Sequence, residues 1–268
     1  MANPEHLALL QSDEWNAWRS RNGNVTPDLT DSDFSQKNLS GKDLKRADLS
    51  RVNLCGAELS GADLSRAVLV DARVDGASAP GAIFDHCMLD FLNFKGAFLA
   101  GARFRSASVQ SCSFVGANLA GADLSHVDLR SVGLAGCRLE RARAIEADLS
   151  GVAIDELDAA GADLRRADLT DCALPGANLR GADLRGALLA GSDLQGADLG
   201  DADLRRATFQ TGDARAVRKA DLRGCNLRGA RITGVDFHRV DLRGAQIDAE
   251  QRAWFERCRA ILDRQADA

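Results

Sequence analysis

The chain has 268 residues, 45% of them hydrophobic but only 5% aromatic and none tyrosine, a bias that favours a repeat over an irregular globule. Its net charge of −5 is modest and demands no basic partner, yet it is uneven, −6 over residues 120–209 and +3 over 210–268. No apolar run reaches membrane-spanning length, the first ten residues lack a basic stretch leading into an apolar one, and the seven cysteines include no CxxC pair. A membrane span, a secretory leader, a zinc site and a disulfide framework are therefore not expected, and a reducing cytoplasm is the expected location.

In chain order, Asn3 and Pro4 read as a helix start ahead of Leu7, Leu10, Trp15 and Trp18. The spacing predicts one helix over about residues 4–20 and a turn at Asn22-Gly23-Asn24, so that residues 1–26 form an N-terminal capping element.

From Leu29 to Phe209 almost every fifth residue is Leu or Phe, and only Ala79, Ala144 and Ala159 fall below Val in size. Two positions earlier stands a small residue such as Ala62, Ala117 or Ala182, giving a unit Ala-(Asp/Asn)-Leu-x-x. On an α-helix this period would carry the leucines around the axis, and on a straight strand it would alternate them between faces. Burying them all requires a corner in every unit. Four corners of about 90° close a coil in twenty residues, with coils stacked at about 4.8 Å, the strand spacing. Phe84 with Phe104 and Phe94 with Phe114 are placed to stack on this scheme.

With this unit repeated over residues 27–249, the chain resembles the pentapeptide repeat family. The resemblance implies an all-β fold, a right-handed quadrilateral β-helix, with the central residue (Leu49, Leu64, Phe94) and the small residue before it (Ala47, Ala62, Leu92) facing inward. Leu92 and Leu157 are large at the small position, so local bulges are expected there. About eleven coils make a rod on the order of 50 Å.

Departures from the unit mark candidate sites. Between 68 and 98 the repeat is least regular. Val68 and Met88 replace Asp/Asn on successive coils of one face, Phe91 takes the adjoining corner, and Ile83 and Phe98 point outward on other faces. An outward apolar cluster is a candidate partner surface. Asp163, Asp183 and Asp203 form a candidate acidic ladder on another face, each followed two residues on by Arg165, Arg185 or Arg205. Because some members of the family resemble a DNA duplex and bind type II topoisomerases, the resemblance brings such a mimic into consideration. A mimic needs an acidic surface, and the arginine column offsets it.

After Phe209 the next central residue is Leu222, so residues 210–219 hold three extra residues, or eight if only one unit is skipped. They read as a surface loop whose Arg215, Arg218 and Lys219 join the candidate partner-binding residues. Beyond 249 lies the C-terminal element, 250–268. Asp248 and Gln251 form a capping-box pattern that opens a helix reaching about Asp263. Its stripe of Trp254, Phe255, Cys258, Ile261 and Leu262 either seals the last coil or pairs with a second copy, as in some relatives of the family.

No nucleophile elbow, phosphate loop or metal-binding helix motif is present. Cys87, Cys112, Cys137, Cys172 and Cys225 fall on the small inward position and read as packing residues. The four histidines read as scattered surface groups, His86 and His126 being two coils apart and too distant to share an ion. The expected function is a non-enzymatic rod that docks another protein, without a cofactor, metal or direct nucleic-acid contact. The alternative is the mimic that binds a type II topoisomerase such as gyrase.

Overall fold

The computed structural model describes residues 2–211 and 218–263. They fall into two compact units, Met1–Cys137 and Arg138–Ala268, both parallel β-helices.

One repeat shows why the five-residue unit folds as it does. Leu64 turns inward and is fully buried, as are Ala62 and Ala67 on either side. Three amides of the unit reach neighbouring coils: Asp63 N–H donates to the Lys42 carbonyl at 3.0 Å, Leu64 N–H to Ile83 at 2.8 Å and Arg66 N–H to Asp85 at 2.9 Å. Ala67 N–H closes the corner onto the Leu64 carbonyl. The remaining amide, that of Ser65, donates to the Asp63 side chain at 3.0 Å. Asp or Asn recurs before the central residue because its short side chain supplies this last acceptor, so every amide of the unit is paired. The second corner residue lies in the left-handed region, whether glycine (Gly61, φ 62°) or not (Arg66, φ 62°). For a non-glycine residue this costs of order 1 kcal/mol or more, offset by the bond its amide makes to the next coil.

Coils return to register every twenty residues. Asp43 bridges Asp63 in the first unit and Asp163 bridges Asp183 in the second, all in parallel. The phenylalanine rings stack as the period requires, Phe84 on Phe104 and Phe94 on Phe114, each with centroids 4.8 Å apart. At Leu92 and Leu157 the bulges expected from sequence do not occur: both are buried and the backbone pattern runs through them unchanged. The interior takes up the larger side chain without the coil opening.

In the first unit the N-terminal segment forms two helices, α1 (Pro4–Leu10) and α2 (Trp15–Arg21), rather than one. Ser12 causes the break. Its hydroxyl donates to the Leu9 carbonyl and accepts the Glu14 amide, ending one helix and starting the next. The helices satisfy the open edge of the first coil with side chains. Trp15 Nε1 donates to the Asp43 carbonyl, Asn16 Oδ1 accepts the Asp43 amide, Arg19 donates to the Lys45 carbonyl, and His6 Nδ1 accepts the Asp28 amide. His6 is therefore buried, not a surface histidine as its sequence position suggested.

In the second unit, bridges at the register break join Asp193 to Asp221 and Asp203 to Arg231, a step of twenty-eight. Eight residues are thus inserted, and the coil resumes at the next unit. The base of the insertion is a short antiparallel pair, β1 (Gln210–Thr211) and β2 (Arg218–Lys219). Helix α3 (Ala249–Arg257) begins with the expected capping box but ends well short of Asp263. Residues after it return to the sheet, where Ile261 bridges Asp241 and the Asp263 carboxylate accepts the Gly244 amide at 2.7 Å. The expected helical stripe is thereby divided between a helix and a strand.

Candidate functional site

The irregular surface lies in the first unit. Val68 bridges Asp48 on one side and Met88 on the other, and Met88 bridges Ser108, so the two apolar side chains stand on neighbouring coils of one face. Met88 is 48% exposed and Phe91, on the next corner with φ 65°, is 64% exposed; Val68 and Val70 are half-buried beside them. Valine offers no acceptor and the methionine thioether only a weak one, so at these two units, as at those of Ala153, Ala173 and Leu188, the acceptor that Asp63 gives Ser65 is missing. Each such unit forgoes a repeated backbone interaction worth about 0.5–1.5 kcal/mol, and here Met88 stands exposed in its place. Phe98 is 59% exposed but bridges Ser78 and Asn118 on another face, so it does not join the cluster.

The acidic ladder stacks as its spacing predicts, Asp163 with Asp183 and Asp183 with Asp203, but its charge is spent locally. Each carboxylate accepts the amide two residues on and binds the arginine there: Arg165 to Asp163 at 2.7 Å, Arg185 to Asp183 and Arg205 to Asp203 both at 2.6 Å. Arg165 also lies 3.6 Å from Asp183, Arg185 3.8 Å from Asp203 and Arg231 3.7 Å from Asp203. The hydrogen bond from Arg205 holds the Asp203 carboxyl below the usual range. The result is a zipper of alternating charge. Beside it is an open hollow of about 920 Å³ whose lining includes Arg165, Arg166, Arg185 and Arg205; Arg166 pairs with Glu146 at 3.1 Å.

Of the basic cluster at the insertion, Arg215 lies outside the described residues. Arg218 pairs with Asp171, which ties β2 back onto the coil instead of presenting a free cation, and Lys219 is half-buried. At the C-terminal end, Phe255 is fully buried with its ring edge-on to Phe237 at 4.9 Å. Trp254 is half-buried under the Arg257 guanidinium at 5.5 Å. Ile261 remains 43% exposed and Leu262 is half-buried.

The inward cysteines are all buried. Burial pushes the thiols of Cys87, Cys112, Cys172 and Cys225 up to about 12, and three of them donate to carbonyls, Cys87 to Leu64, Cys112 to Leu89 and Cys172 to Leu149. Such thiols stay protonated and act as packing groups. Among the described residues no group of three His, Cys, Asp or Glu side chains is gathered to hold a metal ion, and no helix is long and apolar enough to cross a membrane. Sequence reading missed His6, Asn16 and Arg19, whose partners are backbone atoms of the first coil; their polar identity on an otherwise apolar helical face was the available signal.

Among solved structures, the chain is similar to HetL of the cyanobacterium Nostoc sp. strain PCC 7120, a protein involved in heterocyst differentiation regulation. Identity is 26% over 83% of this chain and 94% of that one, with a TM-score of 0.36. Full-length QnrB1, a plasmid-mediated fluoroquinolone resistance protein, aligns at 19% identity over 85% and 97%, TM-score 0.39. Rfr23 of Cyanothece 51142 aligns at 24% over 56% and 91%, TM-score 0.25. No curated protein matches the chain. The family model described as pentapeptide repeats matches eight times, covering residues 28–210 without a gap and 217–247 beyond, and with this coverage the chain belongs to the pentapeptide repeat family.

Proposed function

We propose that the protein is a non-enzymatic scaffold that docks another protein through the surface of Val68, Met88 and Phe91. The observation that carries this reading is the exposure, within one unit, of Met88 on its face and Phe91 on the next corner. The reading includes a four-sided coil over residues 27–249, with residues 1–26 and 250–268 acting as caps. Phe255 over Phe237 supports a sealing role for the C-terminal element, and the exposed Ile261 is the part left for a second copy. A cytoplasmic location fits the free cysteines.

The test is photo-cross-linking in the cell that makes the protein, with a benzophenone amino acid in place of Phe91 and, separately, of Phe98. A defined partner captured at 91 and not at 98, and lost on adding Met88→Asp, is the expected result. Equal capture at both positions, or none at 91, would sink the proposal. The mimic that binds a type II topoisomerase rests on the ladder of Asp163, Asp183 and Asp203, and the arginines that neutralise each member weigh against it.

A further inference from the structure

The docking surface has a free basic rim on one side only. Arg46, Arg66 and His86 occupy equivalent corner positions on three successive coils, linked because Arg46 N–H donates to the Ser65 carbonyl and Arg66 N–H to the Asp85 carbonyl. All three side chains are exposed. Neither arginine makes an ion pair among the described residues, whereas their neighbours are engaged: Lys45 with Asp63 at 3.1 Å and Asp85 with Arg103. The arginines of the second unit's hollow differ, since Arg165, Arg185 and Arg205 already hold their counter-ions. Arg66 stands two residues before Val68, and His86 two before Met88, so the unpaired Arg66 guanidinium and the His86 ring border the apolar cluster directly. On the opposite border Arg51 is held by Asp31 at 2.7 Å, while exposed Asp71, in the same corner row as Phe91, and Asp90, which accepts from Ser108 and Gln110, leave the border acidic beside the cluster.

We propose, resting on the docking role above, that the occupant is an amphipathic helix of the partner protein carrying carboxylates along one flank of its apolar stripe. Backbone pairing cannot recognise it, because Asp48, Val68, Met88 and Ser108 already bridge one another; recognition rests on side chains. Coils rise by about 4.8 Å. Carboxylates three residues apart on a helix rise by about 4.5 Å, while alternate residues of a strand rise by about 6.8 Å, so the helix matches the Arg46–Arg66 step. A flat anionic membrane would meet the acidic border as well as the basic one; a helix with acid on one flank meets only the arginines.

The test is selection from a displayed library of helices about four turns long, with a fixed leucine stripe and both flanks drawn from Glu, Lys and Gln. Binding to vesicles of phosphatidylserine and phosphatidylcholine is measured alongside. Enrichment of Glu on one flank is expected. Affinity of the selected helices should fall about tenfold or more with Arg46→Glu/Arg66→Glu, fall similarly with Met88→Asp, and weaken with salt. Circular dichroism of each variant should match the parent. Enrichment of Lys, no charge preference, helices indifferent to the arginine changes, no binding helix at all, or vesicle binding that depends on the same residues would each overturn the proposal. If Phe91 still cross-links to a partner under any of those outcomes, only the acidic helix fails and the docking role stands; without that cross-link both fall.

Discussion

Leu184 has no exposed surface and lies between coils whose amides are committed, so Leu184→Asp would bury a charge without a partner. Loss of folded protein is expected, read as a collapsed thermal transition. One residue earlier the outcome is opposite. Asp183 accepts the Arg185 amide, a role that asparagine fills with its own oxygen, as Asn53 does for Cys55. Asp183→Asn should therefore cost little, while Asp183→Leu should lose about 0.5–1.5 kcal/mol in a urea titration. Equal costs would contradict the amide-pairing account of the repeat. Carboxylates at the equivalent position of later units set the acid limit. Hydrogen bonds from Arg205, Arg223 and Arg243 hold Asp203, Asp221 and Asp241 below the usual range, against a smaller opposing effect of burial. Their stabilising contribution is complete above the unfolded value of about 3.9 and is lost as pH falls through the depressed folded values. Stability that stays level from pH 7 to about 4 and then declines is expected. A decline already present between 7 and 5 would have to come from other groups.

At the scale of elements, the repeat was legible because a period of five leaves one way to bury every leucine. The ends were less so. Helices α1 and α2 separate at a serine whose hydroxyl competes for backbone groups, and α3 stops early because residues 259–263 do more as a last strand against 239–244 than as further helix. Both outcomes depend on an exposed coil edge that no local pattern announces. Phe255→Ala should cost about 3–5 kcal/mol, the usual range for emptying a buried aromatic site, in thermal or chemical unfolding. A cost under 1 kcal/mol would mean the helix does not seal the coil. At the insertion, joining Thr211 to Arg218 through an Asn-Gly turn suits the antiparallel β1–β2 pair. It should leave the melting temperature nearly unchanged, because shortening a loop changes closure entropy only slightly.

At the scale of the whole molecule, the candidate site was visible in sequence as a lapse of the repeat, and its membership followed from register: Val68 with Met88 on one face, Phe98 on another. What sequence could not supply was the state of the charges. The arginine column beside the ladder was legible from its spacing, but its bidentate grip on each carboxylate was not, and nothing in the sequence pairs Arg218 with Asp171. Purified protein is accordingly expected to leave gyrase supercoiling unchanged. Inhibition or protection reversed by Asp163→Asn/Asp183→Asn/Asp203→Asn would restore the mimic reading.

A twenty-residue coil brings Val68 and Met88 together as one surface, and engineered disulfides probe that register without an intermediary. Bridge partners on neighbouring coils are about 4.8 Å apart, within the Cα range a disulfide spans. In a background where the two partly exposed cysteines, Cys55 and Cys258, are replaced by serine, Val68→Cys/Met88→Cys should oxidise to an intramolecular bond under mild conditions. The control Met88→Cys/Phe98→Cys, closer in sequence but on different faces, should remain reduced. Oxidation of the control with no bond between 68 and 88 would contradict the register and, with it, the docking surface built on it.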